Sequence, residues 1–235
     1  MLGSFSFWQA STLREVGSNR STTDRVHGVL NNPAARKAVS GLVEPPARLL
    51  LRLHVSPDAV TLVGTAGAVA VALICLPQGL FVLAVVLLAV LTLSDLLDGT
   101  MARMSGTSGP WGNFLDATLD RISDGAIFGG LALYGAFNDQ PWITAAATLA
   151  LVTGQVTSYS KARAEAVGAT ANVGIAERAE RLIIIAIATL LTGLGVPYVL
   201  PAALWLLGAL GLITIGQRML TVRRQLRPSA GTGDE

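Results

Sequence analysis

The fold is decided by the stretch DLLDGTMAR (residues 95–103) and, after eight further residues, GNFLDATLD (residues 112–120). Four aspartates, Asp95, Asp98, Asp116 and Asp120, lie here within what otherwise reads as a membrane-embedded helical hairpin. A carboxylate at bilayer depth is costly, so several together indicate a bound cation, a water-filled cavity, or both. We therefore interpret the stretch as a functional site carried by membrane helices.

The composition places the chain in a lipid bilayer. Of the 235 residues, 51% are hydrophobic and 14% are charged, and the mean hydropathy is +0.56, unlike a soluble globular domain. The last apolar stretch is too long for one span, and Pro197 and Pro201 divide it into two helices. We predict an all-α membrane protein with six transmembrane helices, formed by residues 59–76, 79–94, 125–137 extended backward through the carboxylate segment, 141–160, and the two parts of 182–217.

Lysine and arginine residues mark one side of these six spans. They precede the first span, follow the sixth, and flank the second-to-third and fourth-to-fifth connections. The other three connections, around residues 77–78, 138–140 and 195–201, contain neither. Because basic residues accumulate on the cytoplasmic side, we predict that both termini and the carboxylate hairpin face the cytoplasm.

The segment before the first span divides into two parts. Residues 1–32 read as a polar tail without a signal-peptide pattern. In residues 33–54 apolar and basic side chains alternate as in an amphipathic helix on an anionic membrane face; a plain basic flank is the alternative, and Pro45-Pro46 should kink or interrupt the helix. The predicted membrane domain covers residues 55–222, and residues 223–235 form a cytoplasmic tail.

Two local signals accompany the first span. Ser56 is a good N-cap and Pro57 suits the first helical position, so the first transmembrane helix should begin there. The single cysteine, Cys75, excludes an intrachain disulfide and is expected to serve in packing.

Spacing sorts the four aspartates into two pairs. Asp95 and Asp98 are three residues apart and Asp116 and Asp120 are four apart, so each pair projects from one face of its helix. A short turn between the helices can bring the pairs together. Clustered carboxylates suit a hard divalent cation, Mg²⁺ or Mn²⁺, at a site that also holds phosphate oxygens. The stretch contains no Cys or His, which argues against zinc.

Residues between the aspartates indicate what the cation helps to bind. Gly99 follows Asp98 and Gly112 precedes Asp116 by one turn, and small residues there allow close approach of backbone or ligand. Arg103 lies about one turn beyond Gly99, where a guanidinium can neutralise phosphate charge. The alternative is that the glycines only pack helices and that Arg103 only marks the cytoplasmic end.

The pattern DxxDGxxAR, eight residues, then GxxxDxxxD resembles the signature of the CDP-alcohol phosphatidyltransferase family, with every position filled. The resemblance implies a six-helix membrane enzyme that transfers a phosphatidyl group from a CDP-linked lipid to an alcohol and releases CMP. It implies two metal ions, Mg²⁺ or Mn²⁺, held by Asp95, Asp98, Asp116 and Asp120, with Asp120 also the general base. The nucleotide and its phosphates would be lined by Gly99, Ala102 and Arg103 and, from the first transmembrane helix, by Pro57, Asp58 and Thr61.

A second group of cations bears on the acceptor alcohol. The segment SYSKARAE (158–165) closes the fourth span, ERAER (177–181) opens the fifth, and Arg218 lies near the end of the sixth. Several cations at one cavity favour an acceptor that carries its own phosphate, although each alone could simply set topology. Together with LDATLDRISDG (115–125), the pattern resembles the actinobacterial phosphatidylinositol phosphate synthases. This implies inositol phosphate as the acceptor and a phosphate pocket formed by Lys161, Arg163, Arg181 and Arg218.

Two other functions are alternatives to this one, and Asp124 has two interpretations. Phosphatidylglycerol phosphate synthase, in the same family, also uses a phosphate-bearing acceptor, glycerol 3-phosphate, but its third-helix segment usually reads more like LDPxADK. A cation transporter could hold carboxylates in the membrane, but it should distribute them along a pathway. Asp124 either supports a metal ligand or pairs with Arg121.

The partners that the resemblance implies are CDP-diacylglycerol, inositol phosphate and lipids of the bacterial plasma membrane. Family members are commonly homodimers, and small residues in the third and fourth spans would permit close helix contacts. No nucleic-acid partner is expected.

Overall fold

The computed structural model describes residues 33–92, 94–175 and 177–227; the side chains of residues 33–42 and 94–96 lie outside this description. The predicted tail of residues 1–32 and residues 228–235 also lie outside the described residues. Within the described ranges the regular elements are helices, which confirms the predicted all-α class. They are α1 (Pro33–Arg52), α2 (Pro57–Cys75), α3 (Phe81–Thr92), α4 (Ser94–Ser105), α5 (Pro110–Phe137), α6 (Pro141–Ala166), α7 (Arg178–Gly193) and α8 (Val199–Gln225).

The chain divides into two compact units, Met1–Leu42 and Val43–Glu235, and the packing described below is that of the second. Helix α1 crosses the boundary between them. It continues without interruption through Pro45 and Pro46, so the break considered from the sequence does not occur. Its location on a membrane surface stays a prediction.

The start of α2 is the one that the sequence predicted. Ser56 Oγ accepts a hydrogen bond from the backbone N–H of Ala59 at 3.2 Å. Pro57 occupies the first turn, where its missing N–H sacrifices no intrahelical bond. The helix ends at Cys75, a free thiol buried in the core.

The carboxylate stretch forms two helices joined by a short turn, as predicted, and both helices pack against α2. Asp95 and Asp98 lie on α4, Asp116 and Asp120 lie on α5, and residues 106–109 form the turn between the two helices. Within the turn Gly106 has a φ of +69°, a conformation that favours glycine.

The helices of the second unit pack around one main core. Helix α2 contacts α3, α4 and α5; α6 contacts α5 and α8; and α7 contacts α3 and α8. Two glycines of α5 permit close approach: Gly130 lies against the carbonyl group of Ala72, and a Cβ at Gly135 would come within 2.6 Å of the backbone nitrogen of Thr144. The core contains mainly aliphatic and small side chains, among them Ala72, Leu76, Leu131, Ala146, Leu200 and Leu204.

Three stretches are long and apolar enough to cross a membrane among the residues described. They are Pro57–Cys75, Phe81–Ser105, which contains α3 and α4, and Val199–Gln225. The chain is thus a membrane protein by length and composition of these helices, and the count of six spans stays a prediction.

Candidate active site

One end of the helix bundle gathers the polar side chains of the sequence motifs. Helices α2, α5 and α7 begin at this end, and α4, α6 and α8 finish there. Three cross-helix contacts mark it: Thr61 with Asp98, Asp120 with Arg178, and the carbonyl oxygen of Thr157 with Arg218. Residues far apart in sequence therefore meet at a single site.

The first turns of α2 contact the first aspartate pair. Thr61 Oγ1 donates a hydrogen bond to Asp98 Oδ2 and lies 3.1 Å from the carbonyl oxygen of Pro57. The charge of Asp58 also acts on Asp98. The three α2 residues that the family resemblance implied therefore lie beside the motif, and Thr61 fixes the orientation of the Asp98 carboxylate.

The second aspartate pair adjoins the first. Asp116 is exposed on α5, and its charge acts on both Asp98 and Asp120. Asp95 lies on α4, but its side chain is outside the described residues. Among the described side chains, which do not include Asp95, no three His, Cys, Asp or Glu residues form a group that could hold one metal ion.

The motif glycines border open space, unlike the packing glycines of α5. A Cβ at Gly112 would meet no described atom within 4 Å, and a Cβ at Gly99 would meet only Arg103 Nη1, at 3.9 Å. At Gly130, by contrast, it would overlap a backbone carbonyl group. Of the two interpretations of these glycines, the structure favours room for a ligand over helix packing.

Arg103 lies at the edge of this space. Its side chain is exposed, and Nη2 donates to Thr100 Oγ1 at 3.0 Å. Ala102, next to it on α4, is partly buried. The guanidinium is therefore held beside Gly99, where the charge of a bound phosphate can be neutralised.

A side-chain contact between α2 and α5 was not predicted from the sequence. Trp111 Nε1 donates to Asp58 Oδ2 at 2.9 Å and joins the first turn of α5 to the first turn of α2. The Trp111 ring is 62% exposed and lies 6.0 Å from that of Phe114, which is equally exposed. The two helix starts that flank the predicted nucleotide site are thus bonded directly.

Arg178 joins the second aspartate pair to the start of α7. Its Nη2 lies 2.8 Å from Asp120 Oδ1, and its Nε donates to Asp124 Oδ1 at 3.2 Å. One guanidinium therefore binds two carboxylates that lie one turn apart on α5. Arg178 belongs to the basic segment 177–181 but was not among the site residues predicted from the sequence.

Asp124 is buried and surrounded by cations. Only 5% of the residue is exposed. Its Oδ2 lies 3.7 Å from Arg121 Nη2 and 3.7 Å from Arg181 Nη2, while Oδ1 accepts from Arg178. Asp124 therefore pairs with Arg121, as one interpretation predicted, and also with Arg178 and Arg181.

Arg181 and Arg218, two of the four predicted pocket residues, are both buried, and the charge of Arg218 acts on Arg181. Within the described part of the chain, Nε of Arg181 and Nε of Arg121 have no hydrogen-bond partner. Buried donors nearly always find a partner in folded proteins. The two groups are therefore available to an anion.

Arg218 also holds backbone in place. Its Nε donates to the carbonyl oxygen of Val173 at 2.9 Å, and its Nη1 donates to that of Thr157. The other predicted pocket residues, Lys161 and Arg163, are exposed near the end of α6. Among the described residues, no hydrogen bond or ion pair joins any two of the four predicted pocket residues, and Arg181 and Arg218 are each held by other partners. The four-residue pocket therefore stays a prediction.

Comparison with known proteins identifies the family. The model of the CDP-alcohol phosphatidyltransferases matches residues 54–217. The chain belongs to the CDP-alcohol phosphatidyltransferase family. The phosphatidylinositol phosphate synthase of Streptomyces avermitilis is 44% identical over 214 residues, which cover 88% of each chain.

Two crystal structures of Mycobacterium tuberculosis phosphatidylinositol phosphate synthase resemble this CDP-alcohol phosphatidyltransferase. The structure with CDP-DAG bound gives a TM-score of 0.72 at 42% identity and covers 82% of this chain and 97% of that chain. The structure in complex with manganese and citrate gives a TM-score of 0.74 at 42% identity, with 81% and 95% covered.

Proposed function

We propose that this CDP-alcohol phosphatidyltransferase transfers the phosphatidyl group of CDP-diacylglycerol to a hydroxyl of inositol phosphate, giving phosphatidylinositol phosphate and CMP. The observation that carries the proposal is the 2.8 Å contact between Asp120 and Arg178. It makes the carboxylate hairpin and the arginine cluster one continuous site, as a diphosphate donor and a phosphate-bearing acceptor require. The relatives named phosphatidylinositol phosphate synthase support inositol phosphate as the acceptor.

The charge balance of the arginine cluster supports a phosphate on the acceptor. Two carboxylates, Asp120 and Asp124, pair with cations there. Three guanidinium groups, those of Arg121, Arg178 and Arg181, form ion pairs with these two carboxylates. The excess of positive charge in this partly buried cluster attracts an anion. We assign the acceptor phosphate to Lys161, Arg163, Arg181 and Arg218.

The hairpin carboxylates fit divalent cations by their chemistry. They offer only oxygen ligands, Thr61 orients Asp98, and Asp116 makes no ion pair with a described cation. We propose that two Mg²⁺ or Mn²⁺ ions are held by Asp95, Asp98, Asp116 and Asp120, and the manganese complex of the mycobacterial relative supports a metal of this class. When bound, such ions neutralise the diphosphate and stabilise the leaving group.

The residues of the chain then divide the remaining tasks. Asp120 accepts the proton of the acceptor hydroxyl while the hydroxyl oxygen bonds to the phosphorus that carries the diacylglycerol. The bond from that phosphorus to the CMP oxygen breaks, and CMP leaves. The nucleotide and its phosphates are lined by Gly99, Ala102, Arg103, Pro57, Asp58 and Thr61.

In the membrane, we propose six spans with both termini and the site in the cytoplasm. The connections 76–80, 138–140 and 194–198, which contain no Lys or Arg, then face the other side. A homodimer remains part of the proposal and rests on the family resemblance. The small residues Gly130 and Gly135 of α5 do not support it, because they pack against other helices of the same chain.

An acceptor comparison tests the function. Purified protein receives CDP-diacylglycerol, Mg²⁺, and one of inositol phosphate, glycerol 3-phosphate, inositol or serine, and both CMP and the lipid product are measured. We expect product with inositol phosphate alone. Transfer to glycerol 3-phosphate instead would make the protein a phosphatidylglycerol phosphate synthase, and the absence of any metal-dependent CMP release would reject the enzyme class and favour the transporter alternative.

A further inference from the structure

Asp124 is a buried carboxylate that the proposed reaction does not use. It lies one turn beyond Asp120 on α5 and accepts from Arg178 on one oxygen, while Arg121 and Arg181 approach the other. If Asp124 served only to neutralise the charge of one arginine in the pocket, one of these three contacts would be enough. The shared guanidinium of Arg178 links Asp124 to Asp120 directly.

We propose that Asp124 is a positioning residue that acts on Asp120 through Arg178, an inference that rests on the proposed function. A guanidinium is planar and presents its donors in a rigid fork. With Nε held by Asp124, Nη2 is directed at Asp120 Oδ1. Among the described residues, Arg121 Nη2 lies 3.9 Å from the second oxygen, Asp120 Oδ2. Asp124 thereby keeps the Arg178 guanidinium on Oδ1 and away from Oδ2, the oxygen that receives the proton of the acceptor hydroxyl.

The removal of the Asp124 charge has a distinctive consequence. Arg178 loses one of its two carboxylates and can turn both of its donor edges toward Asp120, which covers Oδ2. The pocket meanwhile gains unpaired positive charge, so binding of the acceptor phosphate is not weakened. Asp124→Asn should therefore lower kcat by about 10- to 100-fold, as small misplacements of catalytic groups do, while the KM for the acceptor stays equal or falls.

A double-mutant cycle tests whether Asp124 acts through Arg178. Asp124→Asn, Arg178→Gln and the double variant are compared with the unaltered chain in kcat, in KM for inositol phosphate and in CDP-diacylglycerol binding. Asp139→Asn is the matched control, because Asp139 is exposed at the opposite end of α5 and its positive φ of 53° suits asparagine. We expect the double variant to be no slower than Arg178→Gln alone, since residues acting in one chain of contacts are not additive.

The proposal is overturned if the losses of kcat in the two single variants multiply in the double variant. It is also overturned if the kcat of Asp124→Asn equals that of Asp139→Asn, or if Asp124→Asn raises the KM for the acceptor and leaves kcat unchanged. If Asp124→Asn does not fold, variants of the partly exposed Arg178 test the proposal. Arg178→Lys keeps the charge without the fork, so its kcat should fall as far as that of Arg178→Gln, and a kcat near the unaltered value would reject the positioning role.

The same series separates the two proposals. If the unaltered chain uses glycerol 3-phosphate and not inositol phosphate, the proposed acceptor is wrong. The cycle is then measured with glycerol 3-phosphate, and the coupling between Asp124 and Arg178 is accepted or rejected on that result.

Discussion

Substitution of Gly99 by alanine separates space needed by a ligand from space filled by helix packing. Among the described atoms, which exclude the Asp95 side chain, a Cβ at Gly99 meets Arg103 Nη1 alone, at 3.9 Å, which is an ordinary contact. Because alanine is favoured over glycine in a helix by about 0.5–1 kcal/mol, Gly99→Ala should keep or raise the thermal stability. Gly130→Ala instead places a methyl group on the Ala72 carbonyl. Such overpacking costs about 1–3 kcal/mol, which lowers the melting temperature by about 2–10 °C for a chain of this size.

In catalysis, Gly99→Ala should be the more damaging of the two variants, although it is the more stable. If the diphosphate of the CDP-lipid approaches the backbone at Gly99, a methyl group there displaces it by roughly 1 Å, and a misplacement of that size costs about 100-fold in rate. The assays are the melting temperature of the purified protein and kcat/KM for CDP-diacylglycerol. Gly129→Ala is the control, because Gly129 adjoins Gly130 on α5 but no described atom lies within 4 Å of its Cβ position. Its melting temperature should stay equal or rise, as for Gly99→Ala, and its kcat/KM should stay unchanged.

One result would refute this reasoning. A Gly99→Ala protein of unchanged stability that keeps the full kcat/KM would mean that no ligand uses the space beside Gly99. A loss of stability in the same variant would mean that the space is filled by the chain itself, and the packing interpretation of the motif glycines would return.

Three further predictions address the proton acceptor, the metal and the unpredicted hydrogen bond. Asp120→Asn should lower transfer by about 10²- to 10⁴-fold with CDP-diacylglycerol binding still measurable, and a fully active variant would remove Asp120 from the mechanism. Chelation with excess EDTA should abolish CMP release and added Mg²⁺ or Mn²⁺ should restore it; activity that persists in EDTA would contradict the metal site. Trp111→Phe keeps a smaller aromatic ring but loses the bond to Asp58, so the KM for CDP-diacylglycerol should rise by about 2- to 10-fold, and an unchanged KM would show that this bond does not support the nucleotide site.

The sequence predicted those parts of the site that depend on spacing within one helix. Asp95 and Asp98, or Asp116 and Asp120, share a helix face because of helical periodicity. Proline signals likewise predicted the start of α2 at Pro57 and a break within residues 195–201; α8 in fact begins at Val199, so Pro201 lies in its first turn. Local rules of this kind need no knowledge of the neighbouring helices.

The contacts between helices could not be predicted in the same way. The bond between Arg178 and Asp124 spans 54 residues, and that between Trp111 and Asp58 spans 53. No local pattern relates such positions, because they meet only when α5 packs beside α2 and approaches the start of α7. Arg218 illustrates the same limit: its position near the end of the last span was clear, whereas its use of the Thr157 and Val173 carbonyls follows from tertiary packing.

The connection between α6 and α7 depends on the end of α8. Gln225 bonds the backbone of Thr170 in both directions, at 2.9 and 2.8 Å, and Arg218 bonds the carbonyl oxygen of Val173. Both side chains lie beyond residue 217, where the family match stops. A fragment cut at that family boundary would retain every motif aspartate and yet lose these tethers, so its connection would become a target for proteases. The functional unit of this chain therefore extends past the border that its sequence family defines.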